Sequence, residues 1–105
     1  MWYAASLLFR GIHSIPTDQD DLWEESIRLI QASDENEAES KATLLGQASE
    51  VSYLAQGRDK VSWKFVQIER IFQIDDDPLT SGSEVFSRFL KSSEVASLLT
   101  SFKDE

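Results

Sequence analysis

Glu25 and His13 are the residues whose type and setting could do chemistry. Glu25 lies in Leu22-Trp23-Glu24-Glu25-Ser26-Ile27-Arg28-Leu29-Ile30, where alternation places it on the face of Trp23, Ile27 and Leu29. If that face meets the core, the carboxylate must find a partner or take up a proton, and either route makes a poised acid. The plainer alternative sets Glu25 at a sheet rim, paired with a basic residue such as Arg88 or Lys64. His13 is the single histidine, in the loop after the first strand-like segment. It can serve as a general base only with a partner that the sequence does not identify; a solvated loop histidine is the plainer reading. A small hydrolase or isomerase built on these residues needs Glu25 in a pocket, within hydrogen-bond reach of His13 or an aspartate.

Other candidates are weaker. Without cysteine and with one histidine, the usual zinc sets are excluded. Asp18, Asp20 and Asp21, or Asp75, Asp76 and Asp77, could ligate calcium or magnesium through hard oxygens. Neither run has the glycine and terminal glutamate of an EF-hand loop, so both read as solvated loop charge. No metal and no cofactor is assigned. Trp2, Trp23, Trp63 and Tyr53 could stack on bases, with Arg58, Lys60, Lys64 and Arg70 near in sequence. Asp59 and Glu69 interrupt those bases, and alternating strand aromatics more commonly pack a core.

The totals narrow the function classes. Ten basic residues against nineteen acidic ones leave a net charge of −9, which disfavours nucleic acid and anionic lipid and favours basic proteins as partners. The plainest role of that charge is solubility. At 105 residues, 41% hydrophobic and 28% charged, the chain reads as one globular domain over 1–105 that needs no disulfide or metal to fold. The opening MWYAASLLFR lacks the basic flank and cleavage site of a signal peptide, and no apolar run approaches the ~20 residues that span a bilayer. Together with the absent cysteines this suggests a cytoplasmic protein.

The elements that must position these residues follow from periodicity. Trp2–Gly11 alternates, with Tyr3, Ala5, Leu7 and Phe9 on one face, and reads as a strand; Trp23–Ala32 is a second. Ser33 or Asp34 can cap a helix whose first turn is acidic, Asp34 and Glu37 having capping-box spacing. Ala38, Ala42, Leu45 and Ala48 give that helix a small-residue face that can lie close to a sheet, and Gly46 weakens its last turn. Val51–Gln56 is a third strand and Gly57–Lys60 a turn. Val61–Ile74 is the longest strand signal, but its phase changes: Val61, Trp63 and Phe65 share one face, then Val66, Ile68, Phe72 and Ile74 the other. That requires a β-bulge near Phe65–Gln67 or burial of the second half on its opposite face. Glu84–Leu90 reads as a fifth strand. Ser92 or Ser93 can cap a last helix over about 92–103, with Val95, Leu98, Leu99 and Phe102 in its apolar stripe.

Four blocks also carry a resemblance. They are Met1–Phe9, Leu22–Ile30, Val61-Ser62-Trp63-Lys64-Phe65-Val66 and Glu84-Val85-Phe86-Ser87-Arg88-Phe89-Leu90. In this order they resemble the small bacterial proteins of the family called domain of unknown function 4288, over about residues 1–90. The resemblance implies a bacterial origin and a single domain, with the last helix as an addition. It brings no activity, so no site residue is carried over from it.

The expected fold is therefore α+β, an antiparallel sheet of about five strands in β-β-α-β-β-β-α order with the main helix on one face. The expected function is a non-enzymatic protein-interaction module, immunity- or antitoxin-like in one version. It would bind a basic protein partner through its acidic surface or a sheet edge, or pair with itself as a homodimer; the alternative is the Glu25 enzyme.

Overall fold

Alternation makes Trp2–His13 a strand, β1, and its neighbours make it the middle of the sheet. The computed structural model describes residues 1–100; Phe102 of the expected last stripe lies outside them. Along the chain β1 is followed by β2 (Trp23–Gln31), α1 (Glu35–Ala48), β3 (Val51–Leu54), β4 (Lys60–Ile74) and α2 (Ser92–Thr100). The sheet is antiparallel throughout, in the order β2-β1-β4-β3.

Helix α1 covers one face. Tyr3, Ala5, Leu7 and Phe9 of β1 pack with Ile30, Ala32, Ala38 and Ala42 to form the core, and Leu45, Trp63, Phe65, Ile68 and Ile71 close around it. Asp34 caps α1 by accepting from the Glu37 amide at 2.8 Å, and Glu37 reaches back to the amide and hydroxyl of Ser33. The Lys41 hydrogen bond, then those from Ser33, hold the Glu37 carboxyl below its ordinary value.

Small residues let the helix lie close to the sheet. Ala38, Ala42 and Gly46 are its buried positions, whereas Ala48 is exposed; the contact face turns to Gly46 because Phe65 rises from the sheet at that point. A methyl group on Gly46 would sit 2.5 Å from the Phe65 ring. That ring is also tilted against Phe9, 5.7 Å between centroids.

The phase change in β4 has two causes rather than one. Register shifts occur opposite Ser6/Leu7 and opposite Leu8/Phe9, leaving Glu69 and Val66 as the extra residues. The first bulge falls within Phe65–Gln67. The second restores the phase, so Ile68 faces α1 with Phe65 and Ile71, while Phe72 and Ile74 lie on the far face. Beyond the end of β3, the Phe65 amide donates to the Glu50 carboxylate at 2.9 Å instead of to a strand.

The sheet has four strands, not five. Residues 84–90 alternate as a strand does but pair with no strand in the sheet. They cross the far face as a strap, Phe86 resting on Phe72 with 5.9 Å between ring centroids and Arg88 reaching Glu25. Period-two patterning reports an extended chain with one face turned inward, and an extended chain can meet that condition on top of a sheet as well as in it. The last helix is capped differently from expectation. Ser92 and Ser93 lie inside α2, and Glu94 accepts from the Lys91 amide at 2.9 Å.

The Gly46–Phe65 contact sets a testable sign. Gly→Ala inside a helix ordinarily stabilises by about 1 kcal/mol. Here Gly46→Ala should destabilise by about 1–3 kcal/mol through overpacking, and Gly46→Ala with Phe65→Leu should recover part of that loss, measured by urea unfolding.

Candidate functional site

The far face of the sheet holds Glu25. Register places Trp23, Glu25, Ile27 and Leu29 beside Arg10, Leu8, Ser6 and Ala4, on the side away from α1. Their expected place against the main core is therefore corrected: Ile30 is the β2 residue buried under the helix, because it pairs with Tyr3. A shift of one residue exchanges the faces of a strand, so an edge strand takes its inward face from the strand beside it. Trp23, Ile27 and Leu29 are each about half exposed, at 47%, 49% and 51%.

Ser6 lies beneath the strap and is fully buried. Its hydroxyl donates to Glu25 Oε2 at 2.6 Å, and Arg88 Nη1 stands 3.6 Å from the same oxygen. Glu25 thus accepts a hydrogen bond from the buried hydroxyl and is ion-paired with the strap arginine at the same oxygen. Lys64 is not its partner; it sits opposite Arg10, towards the other end of the sheet.

His13 ends β1 and points to a different centre. Its Nδ1 lies 2.6 Å from Asp59 Oδ2. Asp59 Oδ1 accepts from the Ile15 amide at 3.1 Å and the Ser14 hydroxyl at 3.2 Å, and the Lys60 amide donates to Ser14 Oγ at 2.7 Å. The turn that delivers Asp59 is built by Gly57 and Arg58, both with left-handed backbone, φ 74° and 67°. The sequence signal for this turn was present, but nothing in it tied Asp59 to a histidine 46 positions away. The His13 hydrogen bond is the largest cause holding the Asp59 carboxyl below its ordinary value; partial burial opposes it, and the Ile15 and Ser14 bonds add to it.

His13 and Asp59 border a cavity of about 620 Å³ with Ile15, Thr17, Gln56 and Gly57. A second cavity, about 340 Å³, opens beside it at Arg10, Ile12 and Asp21. Arg10 is ion-paired to Asp21 and lies over the Trp23 ring at 5.6 Å. With Asp59 on Nδ1, Nε2 has no hydrogen-bond partner among the described residues, the disposition general acid–base chemistry requires. The hydroxyl of the adjacent residue, Ser14, is bound to the aspartate.

Glu25 and His13 are not brought together. The register partner of Glu25 is Leu8, and His13 stands five residues further along β1 on the opposite face, roughly 17 Å of strand away. The tryptophans do not make one platform either. Trp63 faces α1 and donates to the Tyr53 hydroxyl at 3.2 Å, Trp23 is on the far face, and Trp2 is at the other end of β1. Among the described residues no three His, Asp or Glu side chains converge as a metal site, and no helix is long and apolar enough to cross a membrane.

The family model described as Domain of unknown function (DUF4288) matches residues 2–87. No curated protein and no solved structure matches the chain. The match takes in the sheet, α1 and Phe86 of the strap, and stops one residue before Arg88.

Two measurements separate the roles of these groups. Glu25→Ala leaves the buried Ser6 hydroxyl without its acceptor and should cost about 1–3 kcal/mol in urea unfolding, whereas Arg88→Ala, losing a partly exposed ion pair, should cost less than about 1 kcal/mol. Asp59 has a depressed folded-state value. Its contribution to stability is therefore present above the unfolded value of about pH 4 and is lost as the pH falls through the folded one. Asp59→Asn should lower the urea midpoint at neutral pH, and its difference from the wild type should shrink between about pH 5 and pH 2.

Proposed function

This chain belongs to that family, and we propose that it works as a non-enzymatic protein-interaction module for a basic protein partner. The observation that carries this reading is α2. Among the described residues no other element packs closely on its apolar stripe: Leu98 is 56% exposed and Leu99 64%, Val95 is partly exposed, and Phe89 just before the helix is fully exposed. Apolar groups gathered on a surface in this way mark a place where another molecule docks. The kind of partner follows from charge. A chain with net charge −9 attracts positively charged proteins over distances at which packing is not yet felt.

An immunity- or antitoxin-like role against a basic toxin is one concrete version, and it rests on the charge. The setting we propose is the cytoplasm of a bacterial cell; a cysteine-free chain suits a reducing compartment.

A second reading is favoured by the His13–Asp59 pair beside its cavity, as acid–base chemistry at His13 Nε2. It differs from a Glu25 enzyme, since Glu25 is held by Ser6 and Arg88 far from that cavity. Hydrolysis of a panel of small activated esters or phosphodiesters that is lost in both His13→Gln and Asp59→Asn would favour it. Turnover surviving in His13→Gln would exclude it.

The interaction reading is tested with two baits, the full chain and its Leu98→Asp, Leu99→Asp variant. A basic protein retained by the wild type at physiological salt, released at high salt and absent from the variant is the expected result. Equal recovery by both baits, or no basic protein with either, would overturn the reading.

A further inference from the structure

We propose that two copies of this chain associate through β2, edge to edge, in one antiparallel register centred on Ser26. This pairing uses a surface separate from the α2 stripe and stands or falls independently of it.

The sheet has two long edges, and they are built differently. One is the part of β4 beyond β3. It is broken by the bulges at Val66 and Glu69, carries Glu69 and Arg70, and has its Phe65 amide taken by the Glu50 carboxylate. Bulges, charges and a side-chain cap are the devices by which sheets avoid edge pairing. The other edge is β2. All nine of its residues pair with β1 without a register shift, and it contains no proline and no bulge. Among the described residues, the one side chain bonded to its carbonyls is Lys41, on Gln31 at its end. A regular strand of this length, left open, is a template for another strand.

The occupant is argued from the side chains β2 would bring. An antiparallel pair about a twofold axis perpendicular to the sheet keeps both α1 helices on the same side and places residue i opposite a fixed partner j. With Ser26 opposite Ser26, Glu24 faces Arg28 of the other copy, twice, on the helix side. On the far side Trp23 faces Leu29 and Glu25 faces Ile27, each twice, with Glu25 still held by Ser6 and Arg88 of its own chain. Shifting the centre to Glu25 sets Glu25 against itself, and shifting it to Arg28 sets Arg28 against itself; like charges directly opposite destabilise a pair. Centring on Ile27 puts Glu24 opposite Ile30 and Glu25 opposite Leu29, and forms no ion pair. Only the Ser26 register joins opposite charges and covers the half-exposed Trp23 and Leu29 together.

Neither charge is spent inside the chain. Arg28 donates to the Ser26 hydroxyl at 2.7 Å, and among the described residues no ion pair engages Arg28 or Glu24. Glu25 stays with Ser6 and Arg88 on each copy. The general repulsion of two chains of charge −9 is screened within about 8 Å at physiological salt, which leaves the short-range pairs to decide.

The absence of cysteine makes the test direct. Sedimentation of the full chain at physiological salt should give twice the chain mass at high concentration. Opposed Cα atoms in an antiparallel pair are about 4.5–5.5 Å apart, within disulfide reach. Ser26→Cys should therefore form a covalent dimer under mild oxidation, and Ile27→Cys should not. Glu24→Arg should shift the chain to monomer with its circular dichroism unchanged, and Glu24→Arg with Arg28→Glu should restore the dimer. A monomer at every concentration, cross-linking through Ile27→Cys rather than Ser26→Cys, or a Glu24→Arg dimer as tight as the wild type would each overturn the proposal.

Discussion

Everything in this fold is arranged around a central strand that must be kept dry on both faces. Tyr3, Ala5, Leu7 and Phe9 face one way, Ala4 and Ser6 the other, and all six are buried. A strand in the middle of a four-stranded sheet has its edges satisfied by neighbours, but its faces need separate covers. Helix α1 supplies the first and the strap of residues 84–90 the second. The covers differ in kind: α1 lies on the sheet through alanines and a glycine, whereas the strap rests through one aromatic contact and one ion pair. The thinner cover lies over Ser6, the one buried polar side chain among the described residues. That hydroxyl needs an acceptor wherever the strap lies, and Glu25 provides it from the neighbouring strand. Glu25 thus has a structural role set by β1, as the acceptor for a buried hydroxyl.

The same constraint shapes the edges. β4 has to curl around the helix, and it does so by two bulges that keep Phe65, Ile68 and Ile71 turned towards α1. Bulges that serve the core also spoil β4 as a pairing edge. β2 carries no such burden; it pairs with β1 without a register shift, and its outer edge keeps a regular strand. Edge character in this sheet is a by-product of where the helix sits.

Much of this was legible in the residues, and the failures have physical causes. The alternation of β1, the small face and Asp34 cap of α1, the turn at Gly57 and the first bulge of β4 are all local, and local patterns survive translation into structure. Gly46 read as a weak point and is instead a contact, because the Phe65 ring that requires it lies 19 positions away in sequence. The pattern of β2 does not fix its own face, because it has apolar residues on both sides, Ile27 and Leu29 against Ile30, and β1 makes the choice. The second bulge was hidden because it cancels the phase change of the first.

The candidate site divides along the same line. Glu25 and His13 were visible as residue types, and Arg88 as one basic partner for Glu25, but Ser6 and Asp59 are set by pairing register and by a turn, which no spacing rule reaches. For His13 the decisive group is Asp59, and Asp59 is in place because two successive left-handed residues, Gly57 and Arg58, swing the chain back towards the end of β1. The arginine adopts that backbone at a cost a glycine would not incur. The bonds from His13, Ser14 and Ile15 to one carboxylate supply the interactions that hold such a turn closed. One carboxylate therefore both fixes the loop after β1 and orients the only histidine at the cavity mouth, so the stability of that end of the sheet and any chemistry at His13 depend on the same group.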